Sequence, residues 1–182
     1  MATPHAHDDR LLDAISAIDP VAYESAVWRC VRDGRPPTEG SRGSGRWNPA
    51  DLSVLYCAEK PEGALAEIHF HLSRGQPVFP SRMRHRLWKL GAELSDALTL
   101  LDLDQLLRLG VEMSRYREIL YAKTQEIGAA AAFLGFDGLL APSARYDCAN
   151  LVVFLDNAAD GAIAGISDEP VDWSTYRGAP NR

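Results

Sequence analysis

The segment from Gly40 to His71 decides the fold and has the sequence GSRGSGRWNPADLSVLYCAEKPEGALAEIHFH. It begins with a loop rich in glycine and arginine and continues into an apolar run that predicts a strand over 53–58. A helix is then predicted from Pro61 to about Leu72, since proline suits the first helical position, where its missing N–H needs no partner. The segment therefore predicts a loop, a strand and a helix in direct succession.

The loop has the composition of an anion site. It contains three glycines and two arginines, namely Gly40, Gly43, Gly45, Arg42 and Arg46. Successive N–H groups in glycine-rich turns bind anions, and arginine adds paired hydrogen bonds to phosphate oxygens. The alternative is a solvated loop without a ligand. Trp47 favours a functional loop, because an aromatic side chain at this point can pin the loop against the domain.

The helix carries Glu67 at the edge of its apolar face. Gly63, Glu67 and His71 form a stripe beside the buried positions, so the carboxylate is partly removed from water. Gly63 leaves room there for a ligand or a backbone segment. The alternative is a glutamate that hydrogen-bonds within its own helix, with His71 as partner. His69 and His71 point to different helix faces, and we predict no metal site.

Further elements alternate without a regular βαβ order. Helices are predicted over 10–18, 104–109 and 115–134, and strands over 26–31, 84–90, 98–101, 138–141 and 150–155. This mixture predicts a single α+β domain rather than a doubly wound sheet. The absence of GxGxxG and GxxxxGK[ST] argues against a Rossmann or P-loop nucleotide site.

Composition bounds the partners and the compartment. The chain has 182 residues and a net charge of −6, which predicts no direct binding to nucleic acid or to anionic membranes. Cys30, Cys57 and Cys148 are odd in number and have no CxxC spacing, which favours a reducing compartment over disulfides or zinc. No signal peptide or membrane span is recognisable, and we expect a cytoplasmic protein.

Ser143 follows Pro142 at the end of a predicted strand, and Asn150 opens the next one. No GxSxG elbow surrounds Ser143, so a nucleophilic serine is poorly supported. A hydroxyl that hydrogen-bonds a ligand or caps a turn fits better.

Taken in order, these segments resemble the RES-domain family, named for Arg, Glu and Ser, whose members are toxins of bacterial toxin–antitoxin pairs. The matching segments are Trp28-Arg29, Gly45–Pro49, Val54–Tyr56, Ala64–Ile68, Ala141–Arg145 and Asn150–Phe154. The resemblance implies an ADP-ribosyltransferase-like mixed sheet with flanking helices. It divides the chain into an N-terminal extension with a short helix (1–25), the RES domain (26–156) and a C-terminal tail packed on or near the domain (157–182).

The resemblance also implies an enzyme that uses NAD⁺ as substrate, without a prosthetic group, and cleaves the nicotinamide–ribose bond. Glu67, Arg46 and Tyr56 would be catalytic, with Glu67 as the carboxylate and Tyr56 lining the nicotinamide–ribose pocket. Arg29 and Arg46 would hold the diphosphate or adjacent groups. Ser143 would bind near the scissile ribose.

Asn150, in the matching terminal strand, is the last NAD⁺-binding residue that the resemblance implies. Hydrolysis and phosphorolysis of NAD⁺ both fit, and the implied partner is an Xre-like helix-turn-helix antitoxin. The alternatives are an ADP-ribosyltransferase acting on a specific protein and a non-catalytic interaction module that retains the fold. A homodimer is left open.

Overall fold

The computed structural model describes residues 7–41, 43–74 and 84–176. Its strands are β1 (Val21–Arg32), β2 (Val54–Ala58), β3 (His85–Thr99), β4 (Gly138–Pro142), β5 (Ala149–Phe154) and β6 (Ile163–Pro170). Its helices are α1 (Asp9–Ser16), α2 (Pro61–Ser73), α3 (Leu103–Arg108) and α4 (Ala122–Phe133), with a 3₁₀ turn over Met113–Arg115. The predicted α+β class is confirmed.

The six strands form one mixed sheet in the order β1-β2-β5-β4-β3-β6. β1 also pairs with β3, from Val21 opposite Ala97 to Arg32 opposite His85, so the sheet curls into a barrel-like ring. β3 and β4 are parallel, whereas the other pairs are antiparallel. The ring closes at a narrow seam, because β1 meets β2 only where Trp28 lies opposite Ala58.

The central strands β4 and β5 supply much of the core. Leu139, Leu151 and Val152 are fully buried, and β5 is paired on both sides, with β2 and with β4. Each such side chain stabilises the fold by roughly 1.5–3 kcal/mol. Both strands have the nearly continuous apolar sequence that is typical of strands buried on two faces.

The predictions for α1, β2, α2, β4 and β5 are confirmed to within two residues, but the two strands predicted over 84–90 and 98–101 are one strand, β3. The middle of this strand contains the polar residues Glu93, Ser95 and Asp96. The Asp137 carboxylate accepts hydrogen bonds from the N–H groups of Ser95 (2.7 Å) and Asp96 (3.1 Å), and so supports the polar stretch from outside.

The prediction of a helix over 115–134 is also wrong in its first part, because α4 begins at Ala122. With 12 residues, α4 is shorter than α2, which has 13. Thr124 in the first turn donates its hydroxyl hydrogen bonds to the carbonyls of Tyr121 (3.0 Å) and Arg46 (2.5 Å). Apolar residues continue at helical spacing upstream of Ala122, but the backbone there is not α-helical. It contacts Arg46 of the loop instead.

Residues 157–182, predicted as a packed tail, contain β6. This strand pairs antiparallel with β3, from Arg86 opposite Pro170 to Ala92 opposite Ile163. Likewise β1 begins at Val21, inside the predicted extension 1–25. Residues 1–6 and 177–182 lie outside the described residues. In the described part of the chain, no helix has the length and apolar character needed to cross a membrane.

Candidate active site

A cavity of about 440 Å³ lies beside the seam of the ring, between α2, the ends of β1 and β2, and the glycine–arginine loop. Five of the six predicted site residues line it, namely Arg29, Arg46, Tyr56, Glu67 and Asn150. The sixth, Ser143, contacts Glu67 directly. The structure therefore brings all six together from distant parts of the chain.

Glu67 is held by two side chains from the β4–β5 hairpin. Its Oε1 accepts hydrogen bonds from the hydroxyl of Ser143 (3.2 Å) and from Nδ2 of Asn150 (3.1 Å). No hydrogen bond within the described ranges reaches Oε2. The carboxylate is thus oriented through one oxygen and can offer the other to a ligand.

Asn150 is itself fixed by the sheet and by Glu67. Its backbone lies in β5, opposite Ala58 of β2 and Ala141 of β4. Its Oδ1 is buried and has no hydrogen-bond partner among the described residues. The amide therefore takes its orientation from the Glu67 carboxylate alone.

Ser143 has a second set of contacts. Its Oγ accepts hydrogen bonds from the N–H groups of Arg145 (3.1 Å) and Tyr146 (3.3 Å). The predicted turn cap is therefore present, and the hydroxyl proton is left for Glu67. One side chain both shapes the turn after β4 and positions the carboxylate.

Gly63 lets α2 lie close to the hairpin. A Cβ atom at this position would stand 2.5 Å from Sγ of Cys148 and 3.2 Å from Cβ of Ala58. Cys148 thus occupies the space that the sequence indicated beside Gly63. This close contact determines how near α2, which carries Glu67, lies to the sheet. The alternative partner for Glu67, His71, lines the cavity. No group of three or more His, Cys, Asp or Glu residues that could hold a metal is found in the part of the chain that the structure describes.

The Tyr56 hydroxyl ties β2 to the loop. It accepts a hydrogen bond from the Trp47 N–H (2.9 Å) and donates one to Oδ1 of Asn48 (2.8 Å). Burial raises the pKa of Tyr56 well above its usual value, so the phenol is neutral. A Cβ at Gly45 would stand 2.6 Å from the same hydroxyl oxygen, and only glycine allows this approach.

Asn48 is fully buried and organises the loop from inside. Its Nδ2 donates to the carbonyls of Gly43 (3.1 Å), Pro49 (2.9 Å) and Leu52 (3.1 Å). A buried amide with all these contacts is a rigid frame, since every broken contact would leave a polar group unpaired. The described part of the loop is therefore ordered by its own hydrogen bonds, and its binding of an anion stays a prediction. Arg42 lies outside the described residues.

Trp47 pins the loop to α4, as predicted. Its side chain is 1% exposed. Its carbonyl lies so close to Gly128 that a Cβ there would overlap the oxygen. Gln125 of the same helix donates to the Gly45 carbonyl at 2.7 Å. The loop is thus attached to β2 at one side and to α4 at the other.

Arg46 is clamped between two aromatic rings. Its guanidinium carbon lies 4.7 Å from the ring centroids of both Tyr116 and Tyr121, and Nη2 donates to the Glu118 carbonyl at 3.3 Å. Such stacking contributes about 0.5–2 kcal/mol. The guanidinium has five N–H donors, so most of them remain for a ligand.

Arg29 is buried and holds the start of the loop. Its Nη1 donates to the carbonyls of Pro37 (2.7 Å) and Glu39 (2.8 Å), and burial lowers its pKa. Arg29 therefore supports the loop and also faces the cavity.

Several further residues line the cavity without having been predicted as site residues, among them His71, Tyr121 and Arg145. Arg145 belongs to the quoted Ala141–Arg145 segment but was given no role. A signal for it was its position two residues after Ser143. Tyr121 was hidden in the region predicted as helix.

The protein is of the α+β class. It combines a mixed, barrel-like sheet with a cavity that is lined by a carboxylate and by arginines. A family model described as RES domain matches residues 26–174, and the chain belongs to the RES-domain family. One relative is the toxin Res of Pseudomonas putida, which is 45% identical over 47 residues, or 26% of this chain. That match spans 32% of the relative's own length.

The fold is similar to a chain in the crystal structure of the M. tuberculosis MbcT–MbcA toxin–antitoxin complex. The TM-score is 0.81 at 21% identity, covering 91% of this chain and 94% of that chain. This likeness confirms the predicted fold class.

Proposed function

We propose that the chain is a toxin that consumes NAD⁺ by cleaving its nicotinamide–ribose bond and passing the ADP-ribose to water or phosphate. One observation carries the proposal: the Glu67 carboxylate, oriented by Ser143 and Asn150, lines the same cavity as Arg29 and Arg46. Membership of the RES-domain family supports it.

The arginines suit the diphosphate of NAD⁺. Arg46 is held by two rings before any ligand arrives, so binding needs little reorganisation of the guanidinium. Arg29 adds positive charge at the other side of the loop. Guanidinium groups bind phosphate oxygens with paired, charge-assisted hydrogen bonds.

Glu67 suits the breaking bond. When the bond between C1′ and the nicotinamide nitrogen breaks, its electron pair goes to the nitrogen and the ribose acquires oxocarbenium character. A fixed carboxylate stabilises that positive charge or hydrogen-bonds the ribose hydroxyls, as carboxylates do at glycosidic bonds. Nicotinamide leaves as a neutral molecule, so the step needs no general acid. The neutral Tyr56 fits a wall that holds the ribose in place.

We also propose a protein antitoxin as partner, of the Xre-like helix-turn-helix kind that the family resemblance implies. The relative's description as a toxin and the toxin–antitoxin complex of the structural neighbour support this. Cys30, Cys57 and Cys148 are free thiols, which supports a cytoplasmic location.

The test is nicotinamide release by the purified protein from NAD⁺, measured with and without phosphate. We expect Glu67→Gln to lower the rate by about 10²–10³-fold, the usual loss when one preorganised electrostatic group is removed. Glu62→Gln is the matched control, because Glu62 is exposed on the same helix. Unchanged NAD⁺ under both conditions, or full activity of Glu67→Gln, would contradict the proposal.

Two further measurements test the two alternatives. A labelled protein band in lysate supplied with labelled NAD⁺ would indicate an ADP-ribosyltransferase. Growth arrest that survives Glu67→Gln would indicate a non-catalytic interaction module.

A further inference from the structure

Tyr116 joins the arginine loop to the turn after β4. Its ring stacks on the Arg46 guanidinium, with the guanidinium carbon 4.7 Å from the ring centroid, and its hydroxyl donates a 2.7 Å hydrogen bond to the Pro142 carbonyl. Pro142 directly precedes Ser143, whose hydroxyl donates to Glu67. One side chain thus contacts both the arginine proposed for the diphosphate and the residue before the holder of the carboxylate.

The Tyr116 hydroxyl has partners on both sides. Besides donating to Pro142, it accepts a hydrogen bond from the side chain of Trp47, whose indole N–H can only donate. Proline has no N–H, so the carbonyl is the one backbone group of Pro142 that can take part in a hydrogen bond. The hydroxyl therefore connects the residue after Arg46 with the residue before Ser143.

The side chain of Tyr116 is buried and neutral. Its exposed fraction is 7%, and burial raises the pKa of the phenol well above its usual value. The hydroxyl therefore keeps the proton that it donates to Pro142. Among the described residues, those that line the cavity include Tyr121, on which Arg46 also stacks, but not Tyr116. Tyr116 consequently acts on a ligand through the residues that it holds.

Two backbone contacts reinforce the same connection. The carbonyl of Arg117, the next residue along the chain, accepts a 2.7 Å hydrogen bond from Nη1 of Arg145, in the turn that begins at Ser143. The carbonyl of Glu118 accepts a hydrogen bond from Nη2 of Arg46 at 3.3 Å. Neighbouring residues of one short segment thus contact the arginine loop and the Ser143 turn, and the segment ties these two parts of the site together.

We propose that Tyr116 is a positioning residue that sets the distance between Arg46, at the diphosphate, and the carboxylate of Glu67. The inference rests on the proposed function, which gives Tyr116 no role. The diphosphate and the scissile C1′–N bond belong to one molecule, so a fixed distance between Arg46 and Glu67 places C1′ at the carboxylate once the diphosphate is bound. A displacement of about 1 Å at such a site costs about 10²-fold in rate.

The experiment compares Tyr116→Phe, which removes the hydroxyl and keeps the ring on Arg46, with Tyr116→Leu, which removes both. Tyr23→Phe is the matched control for a lost phenol hydroxyl, because the Tyr23 hydroxyl donates to Glu59, outside the loop and the turn. The kcat and the KM for NAD⁺ are measured from nicotinamide release, also in Ser143→Ala and Arg46→Gln backgrounds. Binding of ADP-ribose, which carries the diphosphate but no nicotinamide, is measured by titration calorimetry.

We expect Tyr116→Phe to lower kcat by about 10-fold, as for one lost hydrogen bond, and to change the KM by less than about 3-fold. Tyr116→Leu should in addition raise the KM and weaken ADP-ribose binding by about 2–30-fold, the range for one lost cation–π contact. The loss of kcat should vanish in the Ser143→Ala background, and the loss of ADP-ribose binding in the Arg46→Gln background, since Tyr116 acts through these residues. Tyr23→Phe should retain both kcat and binding.

Two results would overturn the inference. One is that both Tyr116 variants keep the kinetics and the ADP-ribose binding of the unmodified protein. The other is a kcat loss in Tyr116→Phe that is equally large in the Ser143→Ala background, which would reduce the hydroxyl to a general support of the fold. If Tyr116→Leu fails to fold, as its Tm would show, Tyr116→Phe alone decides. ADP-ribose binding that depends on Tyr116 through Arg46, in a protein that leaves NAD⁺ intact, would support the positioning of Arg46 and contradict the proposed function.

Discussion

The hydroxyl of Tyr56 donates a 2.8 Å hydrogen bond to Oδ1 of Asn48, and this bond joins the central sheet to the arginine loop. Asn48 is fully buried, and its amide nitrogen serves three loop carbonyls. The position of Arg46, two residues earlier, thus depends on a phenol in β2. Removing that phenol is the most direct test of whether the loop is preorganised.

Tyr56→Phe should lower the free energy of unfolding by about 1–3 kcal/mol, because the Trp47 N–H and Asn48 Oδ1 would both lose a buried partner. It should also raise the KM for NAD⁺. Tyr23→Phe is the control, since the Tyr23 hydroxyl donates a long 3.4 Å hydrogen bond to Glu59, a residue outside the loop. Denaturant unfolding of both variants checks this, and equal losses would show that the loop does not depend on Tyr56.

Gly128→Ala should detach the loop from α4, because the added Cβ would overlap the carbonyl oxygen of Trp47. Such overpacking costs about 1–3 kcal/mol. Gly91→Ala is the matched control, since a Cβ there has its nearest contact at 3.7 Å, with Ile166. Thermal unfolding should show a clear loss for Gly128→Ala alone. If the two variants unfold alike, the helix has room that the structure does not show.

Ser143→Ala and Asn150→Ala should each slow NAD⁺ cleavage by about 10-fold, because each removes a hydrogen bond to the charged Oε1 of Glu67. The effects should vanish in a Glu67→Gln background, since the side chains act through the carboxylate. Single-turnover rates of the single and double variants check this. Further losses in the Glu67→Gln background would mean that Ser143 or Asn150 contacts the substrate independently.

Stability should fall as the pH rises above 9. Burial raises the pKa of the Cys57 thiol from 9.0 to about 12, and that of Cys30 to about 12. The unfolded thiols lose their protons from about pH 9 while the folded ones keep them, so the unfolded state binds fewer protons and is favoured. Each thiol contributes a slope of about 1.4 kcal/mol per pH unit between the two pKa values. Below pH 9 the contribution is fully present.

Cys57→Ala isolates this effect. Its unfolding free energy should decline less steeply than that of the unmodified chain between pH 9 and 11, whatever its stability at pH 7. Urea titrations across that range measure the slopes. Parallel curves would show that Cys57 ionises equally in both states.

The part of the fold that could be predicted from sequence has its pattern in neighbouring residues. β2 and β5 are short apolar runs, and α2 combines a first-position proline with a periodic apolar face. These signals are local, and tertiary contacts agree with them. β6 was not predicted because its residues are mostly exposed, so that no apolar pattern marks a strand that pairs with the distant β3.

The candidate site likewise contains residues that a local sequence pattern marks and residues that only the tertiary fold brings in. Arg46, Tyr56 and Glu67 lie within 22 residues of one another, in one loop–strand–helix unit that the sequence marks clearly. Arg145 and Tyr121 enter the cavity only through the barrel and the irregular segment before α4. The relation of Arg145 to Glu67 is a product of the sheet order β2-β5-β4, which no periodicity in the chain encodes.

The hydrogen bonds that orient Glu67 also determine when the site comes into being. Ser143 and Asn150 lie 76 and 83 residues further along the chain than the carboxylate they hold. During synthesis α2 leaves the ribosome long before the hairpin of β4 and β5, so the nascent chain carries Glu67 without either holder. The site is assembled only once residue 150 has emerged and β5 has paired with β2.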